Sequence, residues 1–115
     1  MALNSLKGKK DFDRVFKKGL GFKENFLLLK FVHNSLTRSR LGIIVSKKIS
    51  KKAITRNKIR RRIRAIVYPK LNLLKNNLDV VIMALPGIEE KTFAETEKAI
   101  DKLWSNKKFK QPGAN

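Results

Sequence analysis

The sequence predicts a small α/β domain, an α+β sandwich with the element order α-β-β-α-β-α on a small sheet. Three observations point there. The length of 115 residues suits one domain. Strand-length apolar runs alternate with stripes of helical period. No internal repeat, low-complexity tract or Pro/Gly/Ser-rich linker divides residues 1–115. Leu, Ile, Val and Phe make up about a third of the chain, above the roughly 20 % below which a highly charged chain stays disordered.

The first helix is expected over Lys9–Lys18, where Phe12, Val15 and Phe16 recur at i, i+3 and i+4. Asp11 and Asp13 suit its early turns, and Gly19 stops it. Asn25–Val32 reads as a strand apolar on nearly both faces, and Leu41–Ser46 as a second, with the polar run His33–Arg40 turning between them. Residues 53–68 read as a helix whose Ile59, Ile63, Ile66 and Val67 form one stripe. Asp79–Leu85 is a third strand closed by Pro86-Gly87. Lys91–Ser105 is a last helix with Phe93, Ile100, Leu103 and Trp104 inward, and residues 107–115 are expected to fray.

Several classes are excluded early. No apolar run approaches the roughly 18 residues of a membrane span. The opening Met1-Ala2-Leu3-Asn4 leads straight to Lys7, Lys9 and Lys10, so no secretory signal is expected. Without cysteine there is neither a disulfide scaffold nor a thiolate metal site. The expectation is a cytoplasmic protein.

Charge identifies the partner. The net charge is +19, and repulsion on that scale opposes compaction unless an anionic partner offsets it. The excess is local. Residues 25–78 hold fifteen basic side chains and no acid, and ten of the fifteen lie between Lys47 and Arg64. Residues 79–115 are balanced, with six of each sign. A merely soluble surface intersperses acids for local pairing. One uninterrupted cationic face fits a nucleic acid, with an anionic membrane surface second.

The helix over 53–67 concentrates that face. At 100° per residue, Ile59, Ile63 and Ile66 fall together, Asn57, Arg60, Arg61 and Arg64 fall opposite, and Lys58 and Arg62 flank the stripe. Arginine's planar fork pairs with phosphate bidentately. The preceding turn adds Lys47, Lys48, Lys51 and Lys52, and the helix N-terminus adds its dipole. Asn57 suits either a base edge or a backbone cap. The isoleucine stripe is needed to cover the sheet, which argues against a membrane-surface helix.

Catalytic groups are few. The single histidine, His33, sits near a strand end and reads as structural or surface. No cluster has metal-ligand spacing, and two-metal phosphodiester cleavage needs converging carboxylates that the basic face lacks. No catalytic residue and no protein-bound metal are expected; any chemistry belongs to a partner. Phe12 and Phe16, one turn apart, suit either the core or the stacking of unpaired bases.

Val45-Ser46-Lys47-Lys48 followed by Ala53-Ile54-Thr55-Arg56-Asn57-Lys58-Ile59-Arg60-Arg61-Arg62-Ile63-Arg64 resembles the signature of the bacterial ribonuclease P protein subunit, whose hallmark is an Arg-Asn-x-x-basic-Arg helix. The resemblance extends to D-F-D-R-V-F-K-K-G at residues 11–19 and D-V-V-I-M-A at residues 79–84. It implies a protein that assembles with a large catalytic RNA, removing the 5′ leader of precursor tRNA with Mg²⁺ bound mainly by the RNA, and that needs no obligate protein partner. Arg56, Asn57, Arg60, Arg61 and Arg64 match the motif helix. Phe12 and Phe16 match the aromatics of the leader cleft, and Leu27 and Leu29 match its strand positions. A left-handed β-α-β crossover is also implied, where the general rule predicts the right-handed form. Three departures stand out: a turn one residue longer after Lys47-Lys48, with Ser50 where glycine is common; Leu29 where an aromatic is frequent; and Arg62 where an apolar residue is frequent.

Two rival readings fit the same residues. A ribosomal-type structural RNA-binding protein would show no preference for leader-bearing tRNA. A DNA-binding domain would lay the arginine helix in a major groove, but no companion helix-turn-helix unit is visible.

Overall fold

The computed structural model describes residues 5–6, 8–71, 73–74 and 77–106, so the expected fraying of 107–115 falls outside the described residues. Along the chain run α1 (Gly8–Lys18), β1 (Leu20–Glu24), β2 (Leu27–His33), β3 (Arg40–Ile44), α2 (Ala53–Leu71), β4 (Leu78–Ala84), a single 3-10 turn at Ile88–Glu90, and α3 (Phe93–Trp104). The sheet order is β1-β2-β4-β3, with β3 parallel to β4 and the other pairs antiparallel. The crossover joining the parallel pair is α2.

The sequence misses one strand. Leu20–Glu24 carries only two apolar side chains and a glycine, too little for an isolated strand signal. Its pairing with β2, from Leu20↔Phe31 to Glu24↔Leu27, makes it an edge strand. Asn25 accepts the positive φ of 52° that the two-residue hairpin requires. Phe22 then meets Phe31 edge to face at 6.2 Å. The observed order is therefore α-β-β-β-α-β-α.

Two further expectations change. Helix α2 does not end before Pro69 but runs on to Leu71. Pro69 removes the N–H that would bond the Ala65 carbonyl, so the last turn needs support from outside the helix. Burial of Leu71 and the Lys70–Asp101 ion pair at 2.7 Å hold that turn in place. Phe93 is 43 % exposed rather than inward, and Thr96 and Ala99 fill the inner face of α3 beside Ile100 and Leu103. The start of α3 is set by a capping box between Thr92 and Glu95. Hydrogen bonds from the Thr92 backbone and hydroxyl hold the Glu95 carboxyl below its ordinary pKa.

The sheet has two unlike faces. On one, Leu27, Leu29 and Phe31 of β2 and Val80 and Ile82 of β4 pack against α3 and the seam Ile59, Ile63, Ile66, Val67 and Leu71 of α2. That seam contains the predicted stripe intact. On the other face lies α1 over a much smaller cluster of Leu6, Val15 and Val81, with Phe12, Phe16, Val32 and Ile44 half-buried around it. Gly42 allows this approach: a Cβ there would stand 2.6 Å from the Phe12 ring.

So small an apolar patch leaves α1 dependent on polar contacts. Asp79, at the start of β4, is 0 % exposed. Its Oδ1 accepts from Arg40 Nε at 2.9 Å and Asn34 Nδ2 at 2.8 Å, and its Oδ2 accepts from Arg40 Nη2 at 2.8 Å and from Arg14 of α1. Arg40 also reaches Asp11 of α1 at 3.2 Å, and Arg14 donates to the His33 carbonyl at 3.3 Å. Burial alone would raise the Asp79 carboxyl. The hydrogen bonds from Arg40 and Asn34 and the charges of Arg40 and Arg14 outweigh it and hold the pKa below the ordinary value. A depressed folded pKa supplies stability above the unfolded carboxylate pKa of about 4, and that stability drains away as pH falls through the folded value. In denaturant titrations, Asp79→Asn should be strongly destabilising at pH 7. The gap from wild type should narrow steadily below about pH 4.

Candidate nucleic-acid interface

The segment between β3 and α2 places its lysines through a simple local scheme. Ser46 Oγ accepts from the Lys48 N–H at 3.2 Å, and the Ile49 N–H donates to the Ser46 carbonyl at 3.0 Å. Ile49 is buried in the main core and anchors the turn. Ser50 Oγ then accepts from the Lys52 N–H at 3.2 Å. With Ser46, Ile49 and Ser50 committed to the turn, Lys47, Lys48, Lys51 and Lys52 all stand exposed. Ser50 has no positive φ, so this longer turn requires no glycine there.

Helix α2 divides its cations into two groups. Arg56 Nη1 donates to the Ser50 carbonyl at 2.9 Å, Arg60 donates to Asn57 Oδ1 at 2.7 Å, and Arg60 Nη2 lies 3.5 Å from the Val45 carbonyl. These three side chains brace the lysine turn against the helix, and Asn57 serves here as an acceptor within the helix. Arg62 Nη1 donates to the Lys91 carbonyl at 3.0 Å, tying α2 to the entry of α3. Lys58, Arg61 and Arg64 are exposed and project outward. Among the described residues none of the ten basic side chains from Lys47 to Arg64 forms an ion pair. Ile54 lies among them, 82 % exposed.

The cleft differs from its sequence-based assignment. Leu27 and Leu29 do not face it: both are fully buried on the opposite face, in the core under α2 and α3. Strand side chains alternate, so a one-residue error in parity moves the whole set across the sheet. The cleft positions are Leu28 and Lys30, in register with Met83 and Val81 of β4. The signal was present, because Lys30 is the single charge interrupting the apolar run and marks the less buried face. Correspondingly, the mid-cleft residue of β2 is Lys30, not Leu29.

Phe12 and Phe16 do line this face, both half-buried. Lys30 Nζ donates to the Phe16 carbonyl at 3.0 Å and lies 5.4 Å from the centroid of its ring. Because α1 covers the Asp79 end of the sheet, the carboxyl ends of β3 and β4 are left open, with Ile44, Met83 and Leu28 half-buried there. The lysine turn begins two residues past Ile44. A half-open apolar cleft therefore runs out toward an unneutralised cationic face. His33 is exposed at the opposite end of β2. Among the described residues no group of His, Asp and Glu is arranged to hold a metal ion, and no helix is long and apolar enough to cross a membrane.

Sheet, parallel crossover and cationic helix define the class: a small α+β protein with a polyanion-binding face. The sequence matches the family model described as Ribonuclease P over residues 2–108, and the chain belongs to that family. It is 39 % identical over 93 residues to the ribonuclease P protein component of Streptococcus pneumoniae serotype 4, covering 81 % of this chain and 75 % of that one. Its fold is similar to that of the Staphylococcus aureus RNase P protein, with a TM-score of 0.78, 27 % identity and coverage of 86 % and 90 %. The Thermotoga maritima RNase P protein superposes with a TM-score of 0.77 at 26 % identity, covering 93 % of this chain and 96 % of that one.

The division within α2 is measurable. Replacing Arg61 and Arg64 together with alanine should leave the thermal midpoint unchanged. It should lower the log–log salt slope of binding to structured RNA by about 1 for each phosphate that is no longer neutralised. Arg56→Ala should also reduce stability, by about 1 kcal/mol, because the brace to Ser50 goes with it.

Proposed function

We propose that this chain is the protein cofactor of a ribonucleoprotein endoribonuclease that removes the 5′ leader of precursor tRNA, the catalytic RNA carrying the chemistry. The observation that carries this reading is the junction of two surfaces: ten unneutralised cations from Lys47 to Arg64, continuous with an apolar cleft walled by Phe12 and Phe16. The cations dock on folded RNA. The cleft takes single-stranded nucleotides, whose bases stack on the two rings while Lys30 offers a positive charge to the backbone or a base edge.

In this reading the protein touches a segment that precursor has and product lacks. Binding energy drawn from the leader raises affinity for substrate over mature tRNA without any protein group at the scissile bond. In this reading the face supplies cations and aromatic rings that bind and position the RNA. Holding the two RNAs in one geometry would also pre-form Mg²⁺ sites made mainly by the RNA, and the Mg²⁺ would supply the Lewis-acid chemistry of cleavage.

Added to the catalytic RNA at physiological Mg²⁺, the purified chain should restore leader removal. Tight RNA binding with no stimulation would favour a purely structural RNA-binding protein instead. The corrected strand parity gives a second test. Leu28→Ala should weaken binding of leader-bearing substrate with a small effect on stability. Leu29→Ala, on the core face, should cost about 2–5 kcal/mol of folding stability.

A further inference from the structure

Helix α1 forms one wall of the cleft, yet little apolar surface holds it there. It has 11 residues, too few to be stable alone in water. Val15 is its only fully buried side chain. Packing centred on one fully buried side chain, with the half-buried rings of Phe12 and Phe16 on one side of it only, resists lifting more than rotation about the helix axis. At 100° per residue, Phe12 and Phe16 lie on one side of Val15, and Asp11 and Arg14 lie on the other. Val15 is thus a pivot between two arms.

The two arms are held differently. The ring arm is held by packing that fixes no angle, Phe12 over Gly42 and Phe16 at the edge of the Val15 cluster, and by a polar tie on a long, flexible side chain, Lys30 Nζ to the Phe16 carbonyl at 3.0 Å. The polar arm is held by directional bonds. Arg14 reaches buried Asp79, whose carboxylate is already gripped by both Arg40 Nε and Nη2 at 2.9 and 2.8 Å, while Arg40 Nη1 holds Asp11 at 3.2 Å. Such fork geometry fixes angle as well as distance.

We propose that Arg14, Arg40 and Asp79 are positioning residues for substrate recognition: they set the rotation of α1 about Val15 and so the height of the Phe12 and Phe16 rings above the sheet at Gly42 and Lys30. This inference rests on the leader-cleft reading above. This role requires no contact between the three and a nucleotide, and the two guanidinium charges are balanced locally by Asp79 and Asp11. Their effect is on the opening of the cleft, where a displacement of about 1 Å costs up to about a hundredfold in a positioned complex.

The test uses the chain assembled with its catalytic RNA and compares wild type, Arg14→Met and Arg14→Lys. Arg14 is about a third exposed, so these variants disturb the core least. Three quantities are read: affinity for a long-leader precursor relative to one with a minimal leader, affinity for the catalytic RNA, and amide hydrogen exchange in α1 and α2. Arg14→Met should lower the long-leader preference about tenfold and speed exchange in α1, with RNA affinity and α2 exchange unchanged. Arg14→Lys should restore most of the preference by restoring the charge at Asp79. An unchanged preference in Arg14→Met, or a loss shared equally by catalytic-RNA binding, would overturn the proposal. If wild type itself shows no long-leader preference, the cleft reading has failed. Hydrogen exchange then decides the positioning claim by itself: α1 exchange that Arg14→Met leaves unaltered overturns it, and selective acceleration supports it.

Discussion

Ten cationic side chains packed onto one turn and one helix repel each other, and no acid in that segment relieves them. Something other than ion pairing has to hold α2 on the protein. The seam of Ile59, Ile63, Ile66, Val67 and Leu71 does so, buried against strands whose facing residues are equally apolar. Burying such side chains gains roughly 1.5–3 kcal/mol each, independent of salt. Repulsion among exposed cations is screened within about 10 Å at moderate ionic strength. The seam therefore wins, and the charge stays unneutralised until a polyanion arrives.

The same constraint sorts the arginines. Arg14 and Arg40 look like part of the basic excess in the sequence, but their guanidinium groups are committed to Asp79 and Asp11. Arg40 lies in the acid-free stretch, and its partners come from outside it, one before Glu24 and one at its far boundary. Arg56, Arg60 and Arg62 are committed to main-chain carbonyls or to Asn57. Such bonds leave the charge intact and further N–H donors free, so these side chains both shape the surface and contribute to its potential. Lys58, Arg61 and Arg64 contribute potential alone.

Much of this was legible from residue order because it depends on period. The α2 seam follows a repeat of 3.6, and every residue assigned to it is buried. What escaped depends on partners. Strand β1 exists because β2 offers it an edge, and nothing in L-G-F-K-E announces that. The parity of β2 escaped because Leu27, Leu28 and Leu29 are identical in type; only Lys30 breaks the tie, and it points to the face that α1 covers incompletely. Phe93 follows the apolar pattern of α3 but lies toward its N-terminal edge, where the small residues Thr96 and Ala99 fill the inner face.

The turn from Ser46 to Lys52 shows why a stiff scaffold matters to a charged surface. Lysine side chains are long and lose rotamer freedom when they bind, at about 0.5–1.5 kcal/mol each. A flexible main chain would add its own ordering cost on top. Here two serine hydroxyls, the buried Ile49 and the Arg56 bond to the Ser50 carbonyl settle the backbone beforehand. Only the side chains remain to be ordered. Because the turn springs from β3 just past Ile44, its stiffness is continuous with the open end of the cleft. A nucleic-acid strand leaving the rings of α1 would meet four lysines whose main-chain positions are already set.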